Sequence, residues 1–480
     1  MADTTPSLIS RLTKALGDKT GKYVLTEGEA MAPYLTDWRK FYAGEAVAVV
    51  LPATTDEVAS IVAIANEAGC KLIPQGGNTG LCGGATPDST PSNIVISLKR
   101  MNRVRQVDAV SRSITVEAGC TLGEVKAAAA HHNLLFPLDL AARDSCHIGG
   151  NLSTNAGGLN VLRYGTARAQ TLGIEVVLPD GRVLDLLSTL LKDNTGYSLR
   201  DLFIGAEGTL GIITAATLKL FPIPTATATA FVGLHDIAAG VSLLHTLQST
   251  SEAGVVACEL IPQIIIDHVR ACYPDVVQPL ANPPPFSLLI ELAGNGENDT
   301  LGGQFGETLN EALEAGLVVD ATIANSEGQR QELWRIRELV PAAEIQAGDV
   351  YKSDVAVPIS RLAEFYEEAA VAAKAICEDV RVFAFGHIGD GNLHYNFAPP
   401  KGGDAVAFAK HFAAFDDMLV ELLAKYGGSI SAEHGIGQKK RDMLLAHKPS
   451  AALDVMRAIK HAIDPKGMMN PGKIMGNTIE

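Results

Sequence analysis

Two histidines, His387 and His394, stand symmetrically about Asp390-Gly391 in the stretch Phe385-Gly-His-Ile-Gly-Asp-Gly-Asn-Leu-His-Tyr-Asn396, and imidazoles so paired can hold a metal ion. With Asp390-Gly391 as the two-residue tip of a hairpin, Gly389 faces Asn392, Ile388 faces Leu393 and His387 faces His394. Opposed side chains have Cβ atoms roughly 4.5–5.5 Å apart, close enough for both rings to reach one ion at about 2.1 Å each. Asn396 points to the same face, and Glu433 and His434, in Ser429-Ile-Ser-Ala-Glu-His-Gly-Ile-Gly437, can add a carboxylate and a third imidazole. The same pair would also serve as core or surface histidines of an ordinary hairpin. The glycines around each His tilt the reading toward a site, because glycine lets backbone or ligand come close.

Other elements offer different chemistry. Val47 to Leu51 reads as a buried strand, and Thr54 with Glu57 makes the capping pattern ahead of a helix whose buried face is Val58, Ile61, Val62 and Ala65 and which Gly69 ends. The next strand, Lys71 to Ile73, runs into Pro74-Gln-Gly-Gly-Asn-Thr-Gly-Leu-Cys-Gly-Gly84, where five of eleven residues are glycine. Such a loop can turn backbone N–H groups onto phosphate oxygens. It contains neither G-x-G-x-x-G nor G-x-x-x-x-G-K-[ST], and a surface turn accounts for it about as well. A second segment, His147-Ile-Gly-Gly-Asn-Leu-Ser-Thr-Asn-Ala-Gly-Gly158, is too polar for a core element, too glycine-rich for a helix and short of charge for a solvated linker. Together the two suggest a long phosphate-bearing ligand lying across backbone. Ile174 to Leu178 and Val183 to Leu186 read as a hairpin about Pro179-Asp-Gly181, and Asp201 to Ile213 again sets small residues where a flat ring could touch backbone.

Composition narrows the function classes. A chain of 480 residues with 47% hydrophobic and 19% charged residues is an ordinary globular protein of several domains. A net charge of −15 without a long basic run argues against nucleic acid or an anionic membrane as partner. Seven scattered cysteines with no C-x-x-C read as reduced thiols. The start, Met-Ala-Asp-Thr-Thr-Pro, lacks a signal-peptide core. The least charged stretch, Leu220 to His235, is broken by Pro222 and Pro224, so no transmembrane segment and a cytoplasmic location are expected. Beyond Pro224 strands and helices alternate, for example Phe286 to Leu292, Gln304 to Ala315 and Ala363 to Ala375. Asp464 to Ile474, with two prolines and two glycines, cannot be a regular helix and is expected to fold back on the first domain.

In order along the chain, PQGGNTG, SCHIGGNLSTNAGG, DNTGYSLRDLFIGAEGTLGI, GHIGDGNLH, SAEHGIG and DPKGMMNPGK resemble the FAD-binding oxidoreductase/transferase type 4 family of vanillyl-alcohol-oxidase-like flavoproteins, over about Val47 to Ile474. The resemblance implies an α+β fold. A two-subdomain FAD-binding domain over 1–224 would be followed by an α+β substrate domain with an antiparallel sheet over 225–425, and by a C-terminal segment, 426–480, returning to the FAD domain. It implies FAD along Pro74, Gln75, Gly76, Gly77, Asn78, Thr79, Gly80 and Leu81, enclosed by Pro137, Asp139, Ser145, Gly149, Gly150, Asn151, Thr154, Asn155, Gly157 and Gly158. Glu207, Gly208 and Ile213 would lie near the adenosine portion and Asn470 near the ring. Some relatives tether the flavin through a histidine in the first loop; here Asn78 follows Gly76-Gly77, so non-covalent FAD is expected, with Cys82 a packed thiol.

The activity implied is oxidation of a small D-2-hydroxy acid. Trp334-Arg-Ile-Arg-Glu338, Tyr351-Lys-Ser-Asp354 and the His-rich hairpin favour D-2-hydroxyglutarate. D-lactate or another D-2-hydroxy acid, or a non-catalytic subunit of a glycolate-oxidase-like complex, are the alternatives. A divalent metal on His387, His394 and Glu433, zinc first and manganese next, would polarise the substrate. His434 is the candidate base and a substrate contact, since an imidazole's ordinary pKa near 6.5 suits proton transfer at neutral pH. Arg337 and Lys352 match family positions that grip substrate carboxylates, and Asn396 can hydrogen-bond one. Where many dicarboxylate-oxidising relatives carry Thr four residues after the arginine, this chain has Pro341, with neither hydroxyl nor N–H. Electron-transfer flavoprotein or a quinone is the implied acceptor, and a homodimer the implied assembly.

Overall fold

The computed structural model describes residues 5–251 and 253–476; Met1 to Thr4, part of the start read for a leader, lie outside the described residues. Two compact units divide the chain. One comprises Met1–Gly158, Gly165–Ile223 and Glu433–Glu480, the other Leu159–Tyr164 and Pro224–Ala432. The expected boundaries stand at 224/225 and 425/426; Leu159–Tyr164, inside the first expected domain, belongs to the second unit.

In the first unit, a four-stranded sheet runs in the order Val24–Leu25, Ala48–Val50, Asn93–Ser97, Lys71–Gln75. Its last three strands are parallel, with Asn93–Ser97 in the middle. The helix Thr55–Ala68 covers it with Val58, Ile61, Val62 and Ala65 buried. Thr54 caps the helix by accepting from the Glu57 N–H, while the Glu57 carboxylate takes the Ala53 N–H, and Gly69 closes it at φ +72°. A five-stranded antiparallel sheet follows the order Val104–Asp108, Ser113–Glu117, Ile212–Lys219, Thr171–Val177, Val183–Asp185.

His147 to Gly158 departs from expectation. Ile148–Ser153 is a short helix despite its paired glycines, because Ile148, Gly149, Asn151 and Leu152 are buried. An ideal Cβ on Gly149 would come 2.8 Å from Ala118 Cβ. Tertiary burial of one face here outweighs the poor helix propensity of glycine, about 1 kcal/mol each. The C-terminal segment is irregular and packs within this unit: Leu72 N–H donates to Met468 O, and Asn470 N–H to Leu72 O, both at 2.8 Å.

The second unit is built on a seven-stranded sheet, all of whose pairings are antiparallel: Asp320–Ile323, Ala226–Leu234, Phe286–Gly294, Gly254–Pro262, Arg381–His387, Asn392–Ala398, Val355–Ala356. Alternate residues enter separate cores. Cys258, Leu260, Ala384, Leu393, Tyr395 and Phe397 face the helices Ile237–Thr250, Asn298–Glu314 and Leu362–Ile376. Ala257, Ile261, Phe383, Phe385 and Ala398 face the helices Gln263–Cys272 and Glu327–Gln346. Since strand side chains alternate with period two, Glu259, His387, His394 and Asn396 fall on the second face, toward Glu327–Gln346.

Candidate active site

The hairpin register differs from the expected one. Phe385, not His387, pairs with His394, and the turn is the four residues 388–391 rather than the Asp390-Gly391 pair alone. The cause is the adjacent strand: the Ile388 N–H donates to Cys258 O (3.1 Å), drawing Ile388 out of the hairpin ladder into full burial. The Asp390 side chain then caps the turn by accepting from the Asn392 N–H (3.1 Å), and Gly391 turns at φ +76°. A shift of two residues preserves which face each side chain occupies. His387 and His394 are therefore diagonal neighbours on one face, ring centroids 5.8 Å apart.

His387 stands directly opposite Glu259 of the strand Gly254–Pro262. Glu259 is wholly buried; its Oε1 lies 2.6 Å from His387 Nδ1, and its Oε2 accepts from Arg337 Nε at 2.7 Å. Burial pushes this carboxyl up, and the two partners outweigh burial, so it remains below the usual carboxylate range. Arg337 also lies over the Phe385 ring at 4.8 Å, and its terminal Nη atoms make no hydrogen bond among the described residues. Seven residues along the same helix, buried Glu344 accepts from Lys352 Nζ (2.8 Å) and from Asn396 Nδ2 (2.7 Å), while Asn396 Oδ1 takes the Ser353 N–H (3.0 Å). Asp354, fully buried, accepts from Asn392 Nδ2 (3.0 Å) and the Ala432 N–H (3.1 Å). Ligating atoms of Asp354 and His394 lie within 4.8 Å of each other. Pro341 is an exposed residue inside Glu327–Gln346.

The first unit holds the remaining predicted positions. Gln75 is turned inward, Nε2 donating to Tyr34 O (3.0 Å) and Ala85 O (2.9 Å), so it shapes the glycine loop from beneath. Pro74 packs on Gly208, and Gly77 abuts the Ser145 carbonyl so closely that a Cβ would sit 1.8 Å from its oxygen. Gly80 and Gly150 face open space. Asn78, Asn155, Glu207 and Asn470 adopt positive φ, at 54°, 50°, 49° and 41°, a conformation that costs non-glycine residues of order 1 kcal/mol or more and gathers at ligand sites. Asn78 is held by Thr36 O (2.9 Å), Asn155 accepts from the Arg168 N–H (3.0 Å), and Thr154 Oγ1 donates to Gly150 O (3.1 Å).

Asp139 pairs with Lys126 at 2.8 Å and Arg143 at 3.1 Å, Ser145 donates to Ala142 O at 3.3 Å, and Ile213 is buried in the antiparallel sheet. Glu207 accepts from the Ile436 and Gly437 N–H groups at 2.7 and 2.8 Å, and burial raises its pKa. Asn470 Nδ2 donates to Gly84 O (2.9 Å) and Glu207 O (2.6 Å). Glu433 accepts from the Gly158 N–H at 3.1 Å and lies 3.8 Å from His434 Nε2. Cys82 is a buried thiol donating to Gly435 O, and among the described residues no two cysteines form a disulfide.

Of the eleven buried side-chain atoms without a hydrogen-bond partner among the described residues, three belong to the glycine-rich segments or to the predicted ring contact: Asn151 Nδ2, His147 Nδ1 and Asn470 Oδ1. Leaving such atoms unsatisfied costs about 1–3 kcal/mol each, and they are donors and acceptors of the kind a large polar cofactor needs. A family model for an FAD binding domain matches residues 46–187, and one for the C-terminal domain of FAD linked oxidases matches residues 223–474. The chain belongs to the FAD-linked oxidase family. It is an FAD-dependent oxidoreductase. Among the relatives of this FAD-linked oxidase, the mitochondrial D-2-hydroxyglutarate dehydrogenase of Bos taurus is 39% identical over 453 residues, 94% of this chain and 81% of the relative. That of Stutzerimonas stutzeri (strain A1501) is 36% identical, over 98% of this chain and 99% of its own. Two solved structures share the fold: p-cresol methylhydroxylase with substrate bound (TM-score 0.75, 18% identity, 98% of this chain and 97% of that one) and the 4-ethylphenol oxidase of Gulosibacter chungangensis (0.74, 19%, 99% and 98%). The vanillyl-alcohol-oxidase architecture is the expected one. No helix among the described residues is long and apolar enough to cross a membrane.

The sequence reading missed Glu259, Glu344, Asp354 and His147. Glu259 had a signal available: a lone carboxylate in the apolar run Gly254-Val-Val-Ala-Cys-Glu-Leu-Ile-Pro262 must have buried partners.

Proposed function

We propose that this FAD-linked oxidase oxidises D-2-hydroxyglutarate to 2-oxoglutarate and passes the electrons to electron-transfer flavoprotein or a quinone. The observation that carries the reading is the pairing in the second unit of two cations with two buried carboxylates, Arg337 with Glu259 and Lys352 with Glu344. A substrate with two carboxylates needs two such cationic groups, and a monocarboxylate such as lactate needs one. The names of the relatives support the same substrate.

FAD, when bound, supplies a two-electron acceptor for the α-hydrogen. Within the chain, the open Nη edge of Arg337 presents a bidentate face to a carboxylate, and Lys352 supplies a point charge beside Asn396. The hydroxyl proton passes from the substrate oxygen to an imidazole nitrogen of His434. His387, His394 and Glu433 are the residues we assign to a divalent ion, zinc before manganese, which would polarise the hydroxyl. The two imidazoles on one sheet face suit that donor set. Asp354 is a further carboxylate close to His394. The flavin is non-covalent in this reading, so acid precipitation leaves yellow colour in the supernatant; colour kept in the pellet would refute it. The substrate assignment rests on kcat/KM for D-2-hydroxyglutarate against D-lactate. A preference for lactate would sink it, because an unpaired second carboxylate in a closed site costs several kcal/mol.

A further inference from the structure

The geometry points to Glu259 as a positioning residue that sets two site groups at once, orienting His387 through one carboxylate oxygen and Arg337 through the other. This rests on the reading above of His387 as a metal ligand and Arg337 as a carboxylate grip. Three observations converge on it. Glu259 and His387 are direct partners across adjacent strands, so their approach is fixed by sheet register and not by a mobile loop. Each oxygen has its own partner, at 2.6 Å to His387 Nδ1 and 2.7 Å to Arg337 Nε. Glu259 has no exposed surface, so water cannot substitute for either partner.

The consequence for each partner follows from donor chemistry. An ionised carboxylate can only accept, so the His387 ring donates from Nδ1 and presents the Nε2 lone pair on its far side, the form that ligates a cation. Metal-bound histidines commonly have such a carboxylate behind them, and its loss typically costs 10- to 100-fold in metal affinity. Arg337 is gripped at Nε, which fixes the guanidinium plane while directing the Nη edge away from Glu259. Phe385 supports that plane from one side, with the guanidinium carbon 4.8 Å from its ring centre. One carboxylate thereby links metal affinity to substrate affinity, although it touches neither ligand.

The test uses flavin-loaded enzyme and the variants Glu259→Gln and Glu259→Asp. Gln keeps one accepting oxygen and turns an amide N–H₂ toward the other partner, so at least one of the two groups loses its orientation. Expected for Glu259→Gln are a roughly 10- to 100-fold weaker hold on Zn²⁺ or Mn²⁺ in chelator competition, a raised KM for D-2-hydroxyglutarate, and full flavin content. Glu259→Asp retains the charge and shortens the arm, so it should fall between wild type and Gln; it carries the test if the Gln variant does not fold. A change confined to melting temperature, with metal affinity and KM both within about twofold of wild type, overturns the proposal. Failure of the underlying reading looks different: wild-type enzyme would then bind no stoichiometric metal, and Arg337→Met would leave KM unchanged.

Discussion

Replacing Asp464 by Ala should strip the FAD unit of the clamp that presents Asn470. Asp464 is wholly buried and accepts from the Met468 N–H at 3.0 Å, the Met469 N–H at 2.8 Å and Lys460 Nζ at 2.6 Å. Lys460 also donates to Thr209 O and Met469 O, so it cannot swing out without unpairing backbone. Removing one partner of a buried pair costs about 3–5 kcal/mol. The charge part has a ceiling, because Lys460 can shed its proton; from the ordinary lysine value of 10.5 that costs about 5 kcal/mol at pH 7, at 1.36 kcal/mol per pH unit. Burial already pulls this lysine down, which brings the real cost below that ceiling. A loss of about 3–5 kcal/mol is expected, a fall of very roughly 6–20 °C in the melting of this unit at about 2–4 °C per kcal/mol. Scanning calorimetry on flavin-loaded protein measures it, and fluorescence titration should show weaker FAD binding because the Met468-Met469 backbone that leads into Asn470 loses its anchor. Asp464→Asn with Lys460→Met, which removes both charges, should recover a large part of the loss. Melting of Asp464→Ala within a degree or two of wild type, or no recovery in the double variant, would refute the reasoning.

Lys473 is almost wholly buried, its Nζ has no hydrogen-bond partner among the described residues, and burial lowers its pKa to about 8. The folded protein thus releases this proton near pH 8 and the unfolded chain only near 10.5. Between those values the unfolded state binds more protons, so stability rises with pH there and is flat below. Lys473→Met in flavin-free protein should be up to about 3 kcal/mol more stable at pH 7, with the alkaline rise gone; denaturant titrations at pH 7 and pH 10 decide it. Asn78→Ala combines a strained positive φ with loss of the bond to Thr36 O, and should weaken FAD binding by roughly 5- to 30-fold, about 1–2 kcal/mol. Asn78→Gly should lose less, and equal losses would count against backbone strain as a cause. Chelation of divalent ions should abolish turnover while flavin absorbance stays with the protein; full activity in metal-free enzyme would remove the metal from the account.

Face and neighbourhood were legible in the sequence where period-two alternation governs. It placed His387, His394 and Asn396 on one side of a hairpin, and they are there. Register was not legible, because the strand that draws Ile388 out of the ladder comes from Cys258, far earlier in the chain. Glu259 acts on His387 across 128 residues of sequence, a distance no local pattern spans; only its isolation among apolar residues hints at it. The helix Ile148–Ser153 was ruled out on glycine content and formed regardless, since burial against the sheet decides a six-residue segment more than propensity does. The glycine loops themselves were readable as backbone built for close approach. Gln75, read as a cofactor contact, uses its side chain to brace the loop from below, which residue type alone does not disclose.

The central claim is that this flavoprotein takes the α-hydrogen of a D-2-hydroxy acid with the help of a bound divalent ion. Anaerobic mixing of flavin- and metal-loaded enzyme with D-2-hydroxyglutarate tests it in one step. The account predicts bleaching of the oxidised-flavin absorbance that disappears after chelation and returns with added Zn²⁺ or Mn²⁺. A flavin that stays oxidised with D-2-hydroxyglutarate, D-lactate and other D-2-hydroxy acids would contradict it.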